Sequence, residues 1–185
     1  GLDVATLTET PRKYGLHATL KPPFGLAEGT TADGLLAEFE ALCTRLSPVT
    51  LDGLALTPLG RFLALTPEGG TAALNAMAAE VVRGLDTFRA PPAEVDLARR
   101  RQANLTPAQE ANLSQWGYPY VMEAFRFHVT LTGKLPKSDL PQVTAALAPY
   151  IAPHLPQPFV LSSLTLVGQA EDGMFHEVHR AALSG

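Results

Sequence analysis

With 185 residues, the chain has material for one large domain or two small lobes, each able to bury a core. A formal net charge of −4 excludes a global basic field of the kind that gathers long nucleic acids without sequence preference. Cys43 is the only cysteine, which excludes an internal disulfide and any multi-cysteine metal site.

A single cysteine also fits a reducing cytoplasm. No apolar run approaches the roughly 18 residues of a transmembrane helix, and the N-terminus lacks a signal-peptide pattern. The expectation is a cytoplasmic protein with no membrane partner. The chain starts at Gly1 rather than Met, which fits processing or an incomplete chain.

Residues 1–12 read as a lead-in loop or short turn. Residues 14–20 read as a first strand, with Gly15, His17 and Thr19 on one face and Leu16, Ala18 and Leu20 on the other. Lys21 continues the polar face before Pro22 and Pro23 end any ladder. From Thr30 the period becomes helical, with Leu35, Leu36, Phe39, Leu42, Cys43 and Leu46 as the apolar stripe and Thr30 with Asp33 as the cap. Strands are predicted over 49–56 and 61–65, joined by a turn at 57–60, then a helix over 71–85.

A helical middle section follows. Residues 93–103 carry Arg99, Arg100 and Arg101, and Thr106, Pro107 and Gln109 occupy N-cap, N1 and N3 of a helix that ends near Trp116 and Gly117. Residues 125–134 form the next predicted strand, alternating Phe125, Phe127, Val129 and Leu131 with Arg126, His128, Thr130 and Thr132. A helix starting at Ser138, strands over 159–167 and 175–182, and a hairpin turn at Glu171, Asp172 and Gly173 complete the chain.

The order strand, helix, strand, turn, strand thus occurs twice, each time opened by His-x-Thr-Leu: residues 17–20 and 128–131. This reads as an internal duplication in which two polar strand faces meet across a cleft. Histidine has an ordinary pKa near ~6.5, so one copy can accept a proton while the other donates. Thr19 and Thr130, two residues on, offer hydroxyl donors suited to the non-bridging oxygens of a phosphate. Lys21 and Arg126, in phase with the histidines, add positive charge. The reaction that uses these parts is phosphodiester hydrolysis or its reverse.

The two His-x-Thr motifs, about a hundred residues apart, resemble the 2H phosphoesterase superfamily. Residues 14–24 (YGLHATLKPPF), 116–121 (WGYPYV) and 125–133 (FRFHVTLTG) resemble an uncharacterised group within it associated with phosphonate-degradation genes. The resemblance covers most of the chain from Tyr14 onward. It implies a single α+β domain, bilobal and pseudo-two-fold. Duplicated strand-helix-strand-strand units would form its lobes, residues 14–85 and 125–185, joined by a helical connection over 86–124, with antiparallel sheets lining a central cleft.

It further implies a metal-independent cyclic phosphodiesterase, without cofactor, that opens a small cyclic nucleotide or ribose cyclic phosphate. By motif, His17 and His128 would be base and acid, in either order, and Thr19 and Thr130 would bind phosphate. Thr132 extends the same polar row, and Tyr118 and Tyr120 are candidates to stack on a base or sugar. Such folds usually open with a strand ahead of the first motif, and residues 1–13 offer no convincing candidate; if that strand is missing, the first lobe carries an exposed sheet edge that invites strand addition or association.

Two alternatives remain open from sequence: an RNA-end 2′,3′-cyclic phosphodiesterase or ligase-like enzyme, and a non-catalytic module binding a phosphorylated ligand. His176 and His179 point to opposite faces of a strand and do not share a metal. His154 reads as a loop residue, and the three arginines at 99–101 read as a solvated helix face. The exact substrate and the oligomeric state are not legible.

Overall fold

The computed structural model describes residues 2–185. Its elements in chain order are α1 (Val4–Leu7), α2 (Ala32–Arg45), β1 (Val49–Leu51), β2 (Gly53–Leu59), β3 (Phe62–Glu68), α3 (Ala72–Gly84), α4 (Glu94–Arg101), α5 (Pro107–Trp116), β4 (Val129–Thr130), α6 (Leu140–Ile151), β5 (Phe159–Leu161), β6 (Ser163–Gln169) and β7 (Phe175–Ala182). The class is α+β, and β1 with β5, β2 with β3 and β3 with β4 all pair antiparallel.

The chain divides into two compact units, and they do not follow the two passes of the repeat. The first takes the described part of Gly1–Thr19, then Pro48–Thr71 and Phe127–Arg180; the second takes Leu20–Ser47, Ala72–Arg126 and Ala181–Gly185. Both His-x-Thr motifs therefore belong to the first unit, not to one lobe each.

In the first unit β2 and β3 form a hairpin from Gly53 opposite Glu68 to Leu59 opposite Phe62, turning at Gly60 with φ +60°. β4 joins the far edge of β3 through Ala64 opposite Thr130 and Leu65 opposite Val129. Strand alternation sends Leu56, Leu63, Leu65 and Val129 to one face. On that side Leu63 clusters with Leu135, Leu140 and Val143, with Leu2, Leu7, Leu56 and Leu147 packed around them. α6 supplies Leu140, Val143 and Leu147, so the helix covers the leucine face, and Phe62, Ala64 and Thr66 of β3 alternate onto the other. Truncating the fully buried Leu63 to Ala would cost about 2–5 kcal/mol. Elsewhere in the unit β1 pairs with β5, each from a different pass of the repeat, and β6 pairs with β7.

No strand lies between Leu2 and Lys13 among the described residues; α1 and a 3₁₀ turn, Pro11–Lys13, occupy that stretch. The Leu7 carbonyl accepts the Gly133 N–H at 2.8 Å, which ties α1 to the segment after the second motif.

The two motif strands are shorter than the alternation implied. Around the first motif only Ala18 forms a ladder bridge, and around the second only Val129 and Thr130 do. Gly15 at φ +69° breaks extension before the first motif, and Leu16 is 76% exposed instead of packed. After Thr130 the N–H groups of Leu131 and Thr132 both turn to the Leu63 carbonyl, a local bulge that ends the pairing.

The second unit is mostly helical. The buried stripe of α2 is Leu35, Phe39, Leu42 and Cys43, and that of α3 is Leu74, Met77, Ala78, Val81 and Val82, at the predicted spacing. The cap of α2 is Thr31, whose side chain accepts the Gly34 N–H at 3.0 Å, one residue beyond the sequence assignment; Thr30 instead donates to the Ala27 carbonyl. α5 has the expected capping box of Thr106 and Gln109, and Gly117 at φ +72° closes it.

Candidate active site

The first motif meets the second directly. Ala18 bridges Val129 in antiparallel sense, on the edge of β4 opposite β3. Carried one residue either way, that register sets His17 opposite Thr130 and Thr19 opposite His128. Directly opposed residues of an antiparallel pair share a face, with Cβ atoms about 4.5–5.5 Å apart. Alternation places that face away from the side chains of Ala18 and Val129, hence away from the leucine cluster. The four residues singled out in the sequence thus lie on the polar face of one sheet, as two crossed His–Thr neighbours.

The same register extends the face. Phe62 and Thr66 of β3 and Thr57 of β2 alternate onto it, and the Thr57 and Thr66 hydroxyls hydrogen-bond each other at 2.7 Å. Sequence reasoning missed these two threonines because it put Thr57 in a turn and ended the next strand at Leu65. The signal was the Thr-Pro repeat at 57–58 and 66–67, which keeps strand alternation through a proline.

His17 Nδ1 lies 3.4 Å from the Gly15 carbonyl, and its Nε2 lies 3.1 Å from Thr19 Oγ1. A carbonyl only accepts, so the contact favours the tautomer with hydrogen on Nδ1. Nε2 then carries the lone pair and accepts from the Thr19 hydroxyl. Tyr14 meets the His17 ring edge-on, centroids 5.3 Å apart, and Phe175 meets Tyr14 edge-on at 6.4 Å. Burial pushes the Tyr14 phenol up, so it stays protonated at neutral pH. His128 has Phe62 as its ring neighbour, centroids 5.9 Å apart.

The remaining candidates are placed differently. Thr132 is 2% exposed; its Oγ1 accepts the Leu63 N–H at 3.0 Å and donates to the Gly133 carbonyl at 2.9 Å. That hydroxyl holds the bulge together and does not face a ligand, which corrects the substrate-binding assignment. Lys21 belongs to the second unit, where its Nζ donates to the Val82 carbonyl and to Asp86 Oδ1, both at 3.0 Å, with only 6% of its side chain exposed. It is an internal ion-pair partner rather than a phosphate-facing cation. Burial draws the Lys21 pKa down despite the Asp86 partner. Burial works to raise Asp86, but hydrogen bonds from Arg89 and Lys21 outweigh it and the carboxyl sits low.

Arg126 Nη1 donates to the carbonyls of Glu123 and Phe125 in the second unit. Tyr118 and Tyr120 also lie there, edge to face at 5.6 Å, with the Arg100 guanidinium over Tyr118. Among the described residues no three His, Cys, Asp or Glu side chains are grouped to hold a metal ion, and no helix is long and apolar enough to cross a membrane.

Residues 19–176 match the family described as "Protein of unknown function (DUF1045)", and the chain belongs to that family. It is 37% identical over 187 residues to "Ribose 1,5-bisphosphate phosphokinase PhnN" of Janthinobacterium sp. (strain Marseille), covering 98% of this chain and 41% of the relative. It is 36% identical over 165 residues to a protein of the same name from Laribacter hongkongensis (strain HLHK9), covering 87% of this chain and 37% of the relative. The chain therefore spans about two fifths of the length of the curated relatives it matches.

Proposed function

We propose that this chain is a metal-independent phosphodiesterase of the two-histidine type, acting on a small ribose-based cyclic phosphate. The observation that carries the reading is the Ala18–Val129 bridge, which sets both His-x-Thr motifs side by side in one unit. His17 is the base in this reading, because its Nε2 lone pair stands beside Thr19 on the polar face. It takes a proton from water as the water oxygen bonds to phosphorus; the P–O bond to the ribose oxygen breaks, and His128 donates a proton to that oxygen. Thr19 and Thr130 bond the non-bridging oxygens, so the Thr19 hydroxyl turns from His17 to the phosphate when substrate binds.

The relatives' printed name supports a phosphorylated ribose as the substrate class and fits the phosphonate-linked group that the motifs resemble. It does not make this chain a kinase. The sequence contains no G-x-x-x-x-G-K-[ST], and no two of its glycines are spaced as G-x-G, so neither common glycine-rich phosphate loop is present. A kinase activity in the relatives then fits the three fifths of their length that lie outside the match.

The test is hydrolysis of ribose 1,2-, 2,3- and 1,5-cyclic phosphates and nucleoside 2′,3′-cyclic phosphates with chelator present. Turnover by the wild type, lost in His17→Ala and in His128→Ala, is expected. Equal turnover in both variants, or strict dependence on added metal, overturns the mechanism.

A further inference from the structure

The three consecutive arginines that end α4 have different surroundings. Arg99 Nη2 donates to Asp96 at 2.6 Å, and Arg101 grips Glu110 through Nε and Nη2 at 3.0 and 2.8 Å. Arg100 has no carboxylate partner among the described residues. Its guanidinium lies over the Tyr118 ring, 4.7 Å from the centroid, and its Nε is sealed from solvent without a hydrogen-bond acceptor. Its terminal nitrogens are not sealed and make no hydrogen bond to the protein either.

An unfilled buried donor costs free energy, so a half-buried arginine kept only for solubility would gain by swinging into water. Stacking on Tyr118 holds the guanidinium plane fixed instead, and a fixed fork with open terminal donors matches two oxygens of an oxyanion. The nearby carboxylates of Asp96 and Glu110 are neutralised by Arg99 and Arg101, so the Arg100 charge is not cancelled locally. Tyr120, 42% exposed, meets the Tyr118 ring edge-on. Burial raises the Tyr118 phenol, so it remains a hydroxyl donor at neutral pH.

We propose that Arg100, over the Tyr118 ring that Tyr120 meets edge-on, forms a binding site for a phosphate monoester on the second unit. A doubly charged phosphate outcompetes a carboxylate there, because it offers the fork two oxygens and keeps a third for a hydroxyl. The site does not depend on the phosphodiesterase reading.

Trp116 is the chain's only tryptophan and lies two residues before Tyr118, so its fluorescence reports on the site. Inorganic phosphate and ribose 5-phosphate are titrated into the full chain, with ribose, sulfate and acetate alongside. Saturable changes are expected with both phosphates, at least tenfold weaker with acetate, and absent with ribose. Arg100→Gln should weaken phosphate at least tenfold and Arg100→Lys by less, at unchanged circular dichroism and melting temperature. No saturable response in the wild type, equal binding in Arg100→Gln, or acetate as tight as phosphate would each overturn the proposal. Should no cyclic phosphate be hydrolysed, the catalytic reading falls while this binding stands; intact hydrolysis without the binding gives the converse.

Discussion

The two His-x-Thr segments carry the same residues and are held in different ways. The second is paired on both sides, to β3 through Thr130 and Val129 and to Ala18 beyond, and Thr132 pins its exit to the β3 backbone. The first has one ladder bridge, a left-handed glycine before it and two prolines after it. Within the chain it is flanked by Tyr14, edge-on to His17, and by Lys21, held by Asp86. A motif in a sheet gains its precision from backbone pairing. One at a sheet margin relies on side-chain anchors on either side, and those anchors are where it can be disturbed.

The largest effect should come from the histidines themselves. Under the proposed chemistry His17→Ala and His128→Ala each lower turnover by about 10²–10⁴-fold. The comparison sharpens in the pH profile. A wild-type enzyme with one base and one acid has a bell-shaped rate, and loss of the base removes the limb that rises with pH. Residual activity in His17→Ala should therefore lose its acid limb, and in His128→Ala its alkaline limb. The opposite pattern reverses the roles assigned from the Gly15 contact.

Much of this was legible in the sequence, for identifiable reasons. Helix faces were readable because α2 and α3 bury residues at strict 3.6-residue spacing, and α5 because Thr106, Gln109 and Gly117 are local signals. That His17 shares a face with Thr19, and His128 with Thr130, was readable because two-residue alternation is a backbone property. What alternation cannot report is where pairing stops or who the partner is. Thr132 alternates with Thr130 but sits after a bulge, so its hydroxyl meets the Leu63 N–H. Lys21 alternates with Thr19, yet the chain enters the second unit at Leu20, and the ammonium finds Asp86, 65 residues away in sequence. The compact units do not follow the two passes of the repeat for a related reason: β1 pairs β5, and Ala18 pairs Val129, so these contacts cross the repeat.

Next in size is the anchor after the first motif. Asp86→Asn leaves Lys21 buried without its carboxylate and should cost about 3 kcal/mol in urea unfolding at neutral pH. The sign with pH follows from the depressed Asp86 carboxyl. Between its ordinary value, about 3.9, and its lower folded value, the unfolded chain binds more protons, so stability rises with pH. The Asp86 contribution is thus complete above about pH 4–5 and is lost as pH falls through the folded value. The wild-type and Asp86→Asn curves should converge in acid; parallel curves would remove Asp86 from the account.

A smaller effect separates two threonines that look alike in sequence. Thr132→Val leaves the Leu63 N–H buried without an acceptor and should cost about 1–3 kcal/mol of stability. Thr19→Val, at an exposed position, should stay within about 0.5 kcal/mol. Turnover should reverse the order at temperatures where both variants are folded, with Thr19→Val the more impaired through loss of a phosphate donor. Stability losses of equal size would mean the first segment is as tightly built as the second.

The smallest expected effect compares the aromatic neighbours. Ring pairs of this kind contribute about 0.5–1.5 kcal/mol beyond burial, so removing one should change turnover by no more than roughly tenfold. Tyr14 touches both His17 and Phe175, whereas the paired strand already positions His128 beside Phe62. Tyr14→Leu should therefore lower kcat/KM more than Phe62→Leu, while Tyr14→Phe, which keeps both ring contacts, should match the wild type. The readout is a matched kinetic series on one cyclic phosphate. If Phe62→Leu is the more damaging, the backbone pairing of the second segment does not fix its histidine, and both segments depend on side-chain anchors alike.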